Sequence, residues 1–249
     1  MSLDLDERQR AMLGEMGVRL FQPPLATRAS PVVAPVQAAV AMAPAARPVP
    51  VAVPASLRER PAAVAAMDWP ALREAVAGCQ ACRLCNSRSN AVFGVGDEQA
   101  DWLIVGDAPD EYEDGLGEPF VGQAGKLLDN MLRALQLDRH NKVFIANALK
   151  CRPPDNRNPE PEEVAQCEPF LRRQVELLQP KIVLAMGRFA VQSLLQTNEP
   201  IGKLRGRQHS YQGVPVVVTY HPEHLLRNPS TKAAAWADLC MAAALMRQG

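Results

Sequence analysis

Downstream of Asp68 the chain alternates between two hydrophobic periods. Short, almost unbroken apolar runs occur at Trp102-Leu-Ile-Val-Gly, Val143-Phe-Ile-Ala-Asn, Lys181-Ile-Val-Leu-Ala-Met-Gly and from Val214 to Tyr220. Around them, apolar residues recur at helical spacing: from Trp69 to Val76, at Leu127, Leu128, Met131, Leu132 and Leu135, and over 161–178, 188–196 and 232–247. Strands that are apolar on both sides belong in a sheet covered on both faces, and strand–helix alternation makes that sheet parallel. The predicted fold is therefore α/β, a three-layer α/β/α arrangement with a central four-stranded parallel sheet, over residues 65–249. Ligands of such sheets bind beyond the carboxyl ends of the strands. The polar motifs of this chain fall at those ends.

The first quarter of the chain has a different character. Over residues 4–21, Leu5, Met12, Leu13, Met16 and Leu20 stand among charges, a pattern that predicts a short amphipathic helix within 1–22. From Pro23 to Pro61 there are nine prolines and few charges. Prolines at that density remove backbone donors and disfavour helix at each preceding residue, so 23–64 is expected to be an extended, disordered linker. The 27 basic and 27 acidic residues cancel, and a nucleic-acid partner would have to be met by a local patch. No apolar stretch reaches the roughly 18–20 residues needed to cross a bilayer. The acidic start, Met1-Ser-Leu-Asp-Leu-Asp-Glu, lacks the layout of a signal peptide. A cytoplasmic location is expected, and there cysteines read as metal ligands or buried thiols before disulfides.

Four of the six cysteines form a pattern. Cys79-Gln-Ala-Cys82 is a C-x2-C, and Cys151 and Cys167 follow with fifteen residues between them. Two local pairs brought together supply four thiolates, the requirement of both iron–sulfur clusters and structural zinc sites. Cys85 lies three residues beyond the first pair, and Cys240 on the last helix reads as a buried structural thiol. Both are left outside the set.

The ordered motifs are Cys79-x2-Cys82, Val92-Phe-Gly-Val-Gly, Gly106-Asp-Ala-Pro, Gly117-Glu-Pro-Phe-Val-Gly-Gln-Ala-Gly, Asn147-Ala-Leu-Lys-Cys-Arg-Pro-Pro, Cys167 and His221-Pro-Glu-His-Leu-Leu-Arg. Over roughly 175 residues this string resembles the family 4, iron–sulfur uracil-DNA glycosylases. The resemblance implies a 4Fe–4S cluster on Cys79, Cys82, Cys151 and Cys167, in preference to zinc, and uracil-containing DNA as substrate. It implies that Phe120 stacks on the everted base and Asn147 reads it. His221 then donates to the base as negative charge develops there, and Leu225, Leu226 and Arg227 lie against the DNA minor groove. The glutamate of the family's first motif corresponds to Asp107, shorter by one methylene, and Asp110 replaces a glycine, placing bulk and negative charge near where phosphate or base should approach. Asp107 or Glu113 is the expected water-positioning acid. Lys150, Arg152, Arg157, Lys203, Arg205, Arg207 and Arg227 are the expected basic patch. Separately, Leu13-Gly-Glu-Met-Gly-Val-Arg-Leu-Phe loosely resembles the N-terminal segment of the psi subunit of the bacterial polymerase clamp loader, a family whose segment docks on the chi subunit. Combined with the altered first motif, it raises the alternative of a replisome adaptor, a psi-like subunit on a glycosylase fold whose catalysis is weakened or lost. Otherwise a monomer of the bacterial cytosol, associated with the nucleoid, is expected.

Overall fold

The computed structural model describes residues 61–247. The predicted N-terminal helix and nearly all of the linker lie outside the described residues. Residues 61–64, assigned to the linker, instead open a short helix over 61–65. The chain then forms α1 (Trp69–Ala77), β1 (Val95–Gly96), β2 (Trp102–Gly106), α2 (Glu111–Leu116), α3 (Gly122–Ala134) and β3 (Val143–Asn147). It continues through α4 (Pro161–Leu178), β4 (Ile182–Met186), α5 (Arg188–Leu195), α6 (Ile201–Leu204), β5 (Gln208–Tyr211), β6 (Val214–Thr219), α7 (Pro222–Arg227) and α8 (Lys232–Met246).

The four apolar runs are the parallel centre of the sheet. Its full order is β1-β3-β2-β4-β6-β5, with β1 and β5 added antiparallel at the two edges. The sheet thus has six strands where the apolar runs predict four. β1 is two residues long and β5 is Gln-His-Ser-Tyr, alternately exposed and half-buried. An edge strand needs no apolar residues on both faces, so neither carries the hydrophobic signal.

The two-residue period of the strands sorts the core into two layers. Leu103, Val105, Phe144, Ala146, Val183, Ala185, Val216 and Val218 pack against α1, α4 and α5. Trp102, Ile104, Val143, Ile145, Ile182, Leu184 and Val217 face the other way, onto α3 and α8. β2 is flanked by β3 on one side and β4 on the other, so the chain reverses its direction of travel across the sheet between β2 and β4. At such a reversal the loops after neighbouring strands splay apart and open a crevice. The loops after β2, β3, β4 and β6 all meet there.

Candidate active site

A cavity of about 470 Å³ opens beyond the carboxyl ends of the strands, and Asp107, Glu113, Phe120, His221 and Arg227 line it. Gly106 and Asn147, the last residues of β2 and β3, are register partners. A Cβ built on Gly106 would stand 2.6 Å from both the Phe120 ring and Asn147 Oδ1, so the ring and the amide lie side by side over that glycine. The His221 imidazole stacks on Phe120 with centroids 5.0 Å apart and planes at 28°. An aromatic ring, an amide and an imidazole from three separate segments of the chain therefore converge at one place.

Phe120 is held there against its backbone preference. Its φ is +53°, in a region that costs a non-glycine residue roughly 1–3 kcal/mol. Two contacts hold the peptide: its N–H donates to Glu113 Oε1, and its carbonyl accepts from Arg139 Nη2 at 2.9 Å. Gly125 on α3 crosses directly over that carbonyl, where no side chain could fit. Arg139 carries no motif signal, and sequence reasoning missed it.

Asn147 is 1 % exposed, and its carbonyl accepts from Lys150 Nζ at 2.8 Å. Its Nδ2 has no hydrogen-bond partner of good geometry among the described residues, although it lies near enough to Glu113 to favour that carboxylate's charged form. Nearly all buried polar groups find partners, so a buried amide left open beside a cavity marks a place for a ligand.

The imidazole's protonation follows from its surroundings. Burial, with the charge of Arg227 adding to it, lowers the His221 pKa to about 4, so the ring is neutral at physiological pH. Its Nδ1 accepts the Glu223 N–H at 3.4 Å, as the cap of α7. A neutral imidazole that accepts at Nδ1 carries its proton on Nε2.

The acids are buried or half-buried. Glu113 is pushed up to about 7, mainly by burial, and Asp107 up to about 6 by the same cause. Asp107 Oδ1 accepts from the N–H groups of Phe189 and Ala190, at 2.7 and 2.9 Å. It thus ties the end of β2 to the first turn of α5, across the reversal point of the sheet. Asp114, 3 % exposed, accepts from Ser89 N at 2.8 Å. Asp110 takes an ordinary helix-cap role. Its carboxylate accepts from Glu113 N at 2.8 Å, and Glu113 Oε2 accepts from Asp110 N at 2.7 Å. The charge expected to confront a phosphate is therefore occupied at a helix N-terminus. Asp110→Ala is expected to lower stability by about 0.5–2 kcal/mol and Asp110→Gly by only a few tenths, measured by urea unfolding.

The expected basic patch needs correction. Lys150 is 1 % exposed, and its Nζ is enclosed by the carbonyls of Phe93 and Asn147 and by Gln174 Oε1. Arg205 is committed to the buried Asp238 at 2.9 Å, and Arg157 to Glu163 at 2.6 Å. Arg227 is 75 % exposed beside the cavity, and Leu226 is 42 % exposed next to it. Leu225 is a core residue.

Residues 93–240 match the family model of the uracil DNA glycosylase superfamily. The chain belongs to that superfamily. Curated relatives include the Type-4 uracil-DNA glycosylase of Sulfurisphaera tokodaii, 40 % identical over 169 residues, which are 65 % of this chain and 77 % of the relative. The same is true of those of Pyrobaculum aerophilum, 40 % identical over 185 residues (70 % and 93 %), and Thermotoga maritima, 42 % identical over 161 residues (64 % and 83 %).

The four motif cysteines of this superfamily member share one region of the core. Cys79 and Cys82 pack on the core cluster that contains Cys151 and Cys167. Burial raises the thiol of Cys167 to about 12 and also raises that of Cys151, and Cys82 adds to both. Arg88 Nη1 donates to Cys151 Sγ at 2.9 Å. Among the described residues, no three His, Cys, Asp or Glu side chains stand in metal-ligating positions. The donor chemistry fits a thiolate-bound centre: crowded, desolvated thiols ionise readily only against a bound cation. Cys85 is half-buried, and Cys240 is exposed, contrary to its reading as a buried thiol.

Proposed function

We propose that the chain is a uracil-DNA glycosylase, hydrolysing the N-glycosidic bond of uracil in DNA to leave an abasic site. The single observation that carries this reading is the open amide of Asn147, buried beside the Phe120 ring and a neutral, Nε2-protonated His221. Uracil presents a carbonyl next to an N–H. A fixed Asn amide donates to the first through Nδ2 and accepts from the second through Oδ1, whereas cytosine offers the opposite pair. Everting the nucleotide costs a few kcal/mol of stacking and pairing, which stacking on Phe120 offsets in part. His221 stacks on that ring, so the imidazole has to move aside for the base to stack there. Its Nε2–H then donates to the carbonyl oxygen on which charge accumulates as the bond breaks, and a donor aimed at developing charge is a large catalytic contribution. Asp107 or Glu113 holds the attacking water. A carboxylate with a raised pKa is a better proton acceptor at neutral pH than an exposed one. Leu226 and Arg227 face the DNA as an apolar wedge and a phosphate contact.

Cys79, Cys82, Cys151 and Cys167 are the residues that would hold a 4Fe–4S cluster, which when bound cross-links the loops beside the cavity and takes no part in hydrolysis. The replisome-adaptor alternative rests on residues 13–21, outside the described residues, and on the altered first motif, and none of the described features favours it.

The test is incubation with uracil-containing single- and double-stranded oligonucleotides followed by alkali. Cleavage at uracil is expected, and intact strands at stoichiometric protein would refute the reading. The rate should rise with pH through about 6 to 7 as Asp107 and Glu113 ionise, with no loss from His221 protonation until pH nears 4. Stability should show the reverse contribution from these two acids. Their folded pKa values lie above the unfolded ones of 3.8 and 4.5, so the stability they add is complete below about 4 and is lost as pH rises through 6 to 7.

A further inference from the structure

The segment joining Cys151 to the helix of Cys167 forms one wall of the cavity through Pro153, Asn156, Arg157, Asn158 and Pro159. Apart from the single turn Pro154–Asn156 it has no regular structure. A wall with so few backbone bonds of its own relies on side chains to fix it. One contact stands out. Arg157 grips Glu163 as a two-pronged fork, Nη1 to Oε2 at 2.9 Å and Nη2 to Oε1 at 2.6 Å. Nη1 also donates to the Asn158 carbonyl at 3.0 Å. The Glu163 side chain is only 4 % exposed, and its Oε2 accepts the Glu160 N–H at 2.8 Å, closing the first turn of α4. One turn further along α4 lies Cys167. Glu163 also lines a second cavity, of about 660 Å³, together with Cys82 and Arg88. The pair therefore reaches from the base cavity to the cysteine region.

We propose that Arg157 and Glu163 are positioning residues that set the 153–159 wall against the everted base by fastening it to the helix carrying Cys167. The proposal rests on the glycosylase reading of the cavity and adds to it the device that shapes the base pocket. Neither side chain reaches the reacting atoms in this role. A lysine cannot reproduce the fork, because its ammonium is a point charge without two parallel donors.

Free uracil provides the test, since it carries no phosphate and reads the pocket alone. Its dissociation constant is measured on the full chain for wild type, Arg157→Lys, Glu163→Gln and the double variant, alongside thermal midpoints and the salt dependence of DNA binding. Each single variant is expected to weaken uracil by about tenfold or more, within the roughly 10²-fold that a 1 Å misplacement can cost. The double variant should be no weaker than the worse single one, because both remove the same contact. The salt slope should stay as in wild type. A phosphate-contacting Arg157 would leave uracil affinity intact in Arg157→Lys, which keeps the charge, and that result would overturn the proposal. Unchanged uracil affinity in Glu163→Gln at a wild-type thermal midpoint would overturn it too. Should Glu163→Gln unfold, Arg157→Lys, changed on the more exposed partner, decides by itself. Wild-type protein that binds no uracil would defeat the glycosylase reading and the proposal together, whereas wild-type binding with indifferent variants defeats the proposal alone.

Discussion

Replacing His221 with alanine is expected to lower kcat by about 10²–10³-fold, the loss typical when a donor aimed at developing charge is removed. Two observations set that size. Burial holds the ring neutral, with a pKa near 4, and the Glu223 N–H on Nδ1 leaves the proton on Nε2. A neutral donor is useful only where charge appears during the reaction, so KM should change much less than kcat. The fold should survive, because at 3.4 Å the cap of α7 is a weak bond that water can replace. Single-turnover rates on a uracil oligonucleotide, with thermal midpoints in parallel, provide the check. Turnover near that of wild type would remove His221 from the chemistry.

Gly106→Ala is expected to be nearly as damaging by a different route. The added methyl would meet the Phe120 ring and Asn147 Oδ1, each at 2.6 Å from its position. Neither can yield cheaply. Phe120 is locked at positive φ by Glu113 and Arg139, and Asn147 ends a central strand in register with Gly106. Overpacking of this kind costs about 1–3 kcal/mol of stability. A displacement of the ring or amide by about 1 Å should lower kcat/KM on the order of 10²-fold. Urea unfolding and steady-state kinetics separate the two effects. Unimpaired kinetics in this variant would mean that the ring and amide are not the walls of the base site.

The centre of the fold was legible because burial on both faces leaves a mark on sequence. β2, β3, β4 and β6 are apolar over almost their whole length, and the helices between them keep helical spacing. β1 and β5 left no mark, because an edge strand can be short or polar. The site was legible where residue types stand at strand ends: Asp107 after β2, Asn147 at the end of β3, His221 after β6. What could not be read was the partner each charged group would choose. Lys150, Arg157 and Arg205 look like free surface cations in a sequence, yet three acceptors, Glu163 and Asp238 respectively hold them. Asp110 looked like an intruding charge until the first turn of α2 was seen to use it as a cap. Cys240 misled because α8 is alanine-rich on every side, so its apolar pattern does not tell the buried face from the exposed one.

The most direct measurement is a crystal structure of the protein soaked with free uracil. The base is expected in the cavity between Phe120 and Asn147, with the Asn147 amide paired to its N–H and adjacent carbonyl and His221 Nε2 within hydrogen-bond distance of a uracil oxygen. Uracil bound elsewhere, or no uracil in the cavity and His221 still stacked on Phe120 at saturating uracil, would contradict the account.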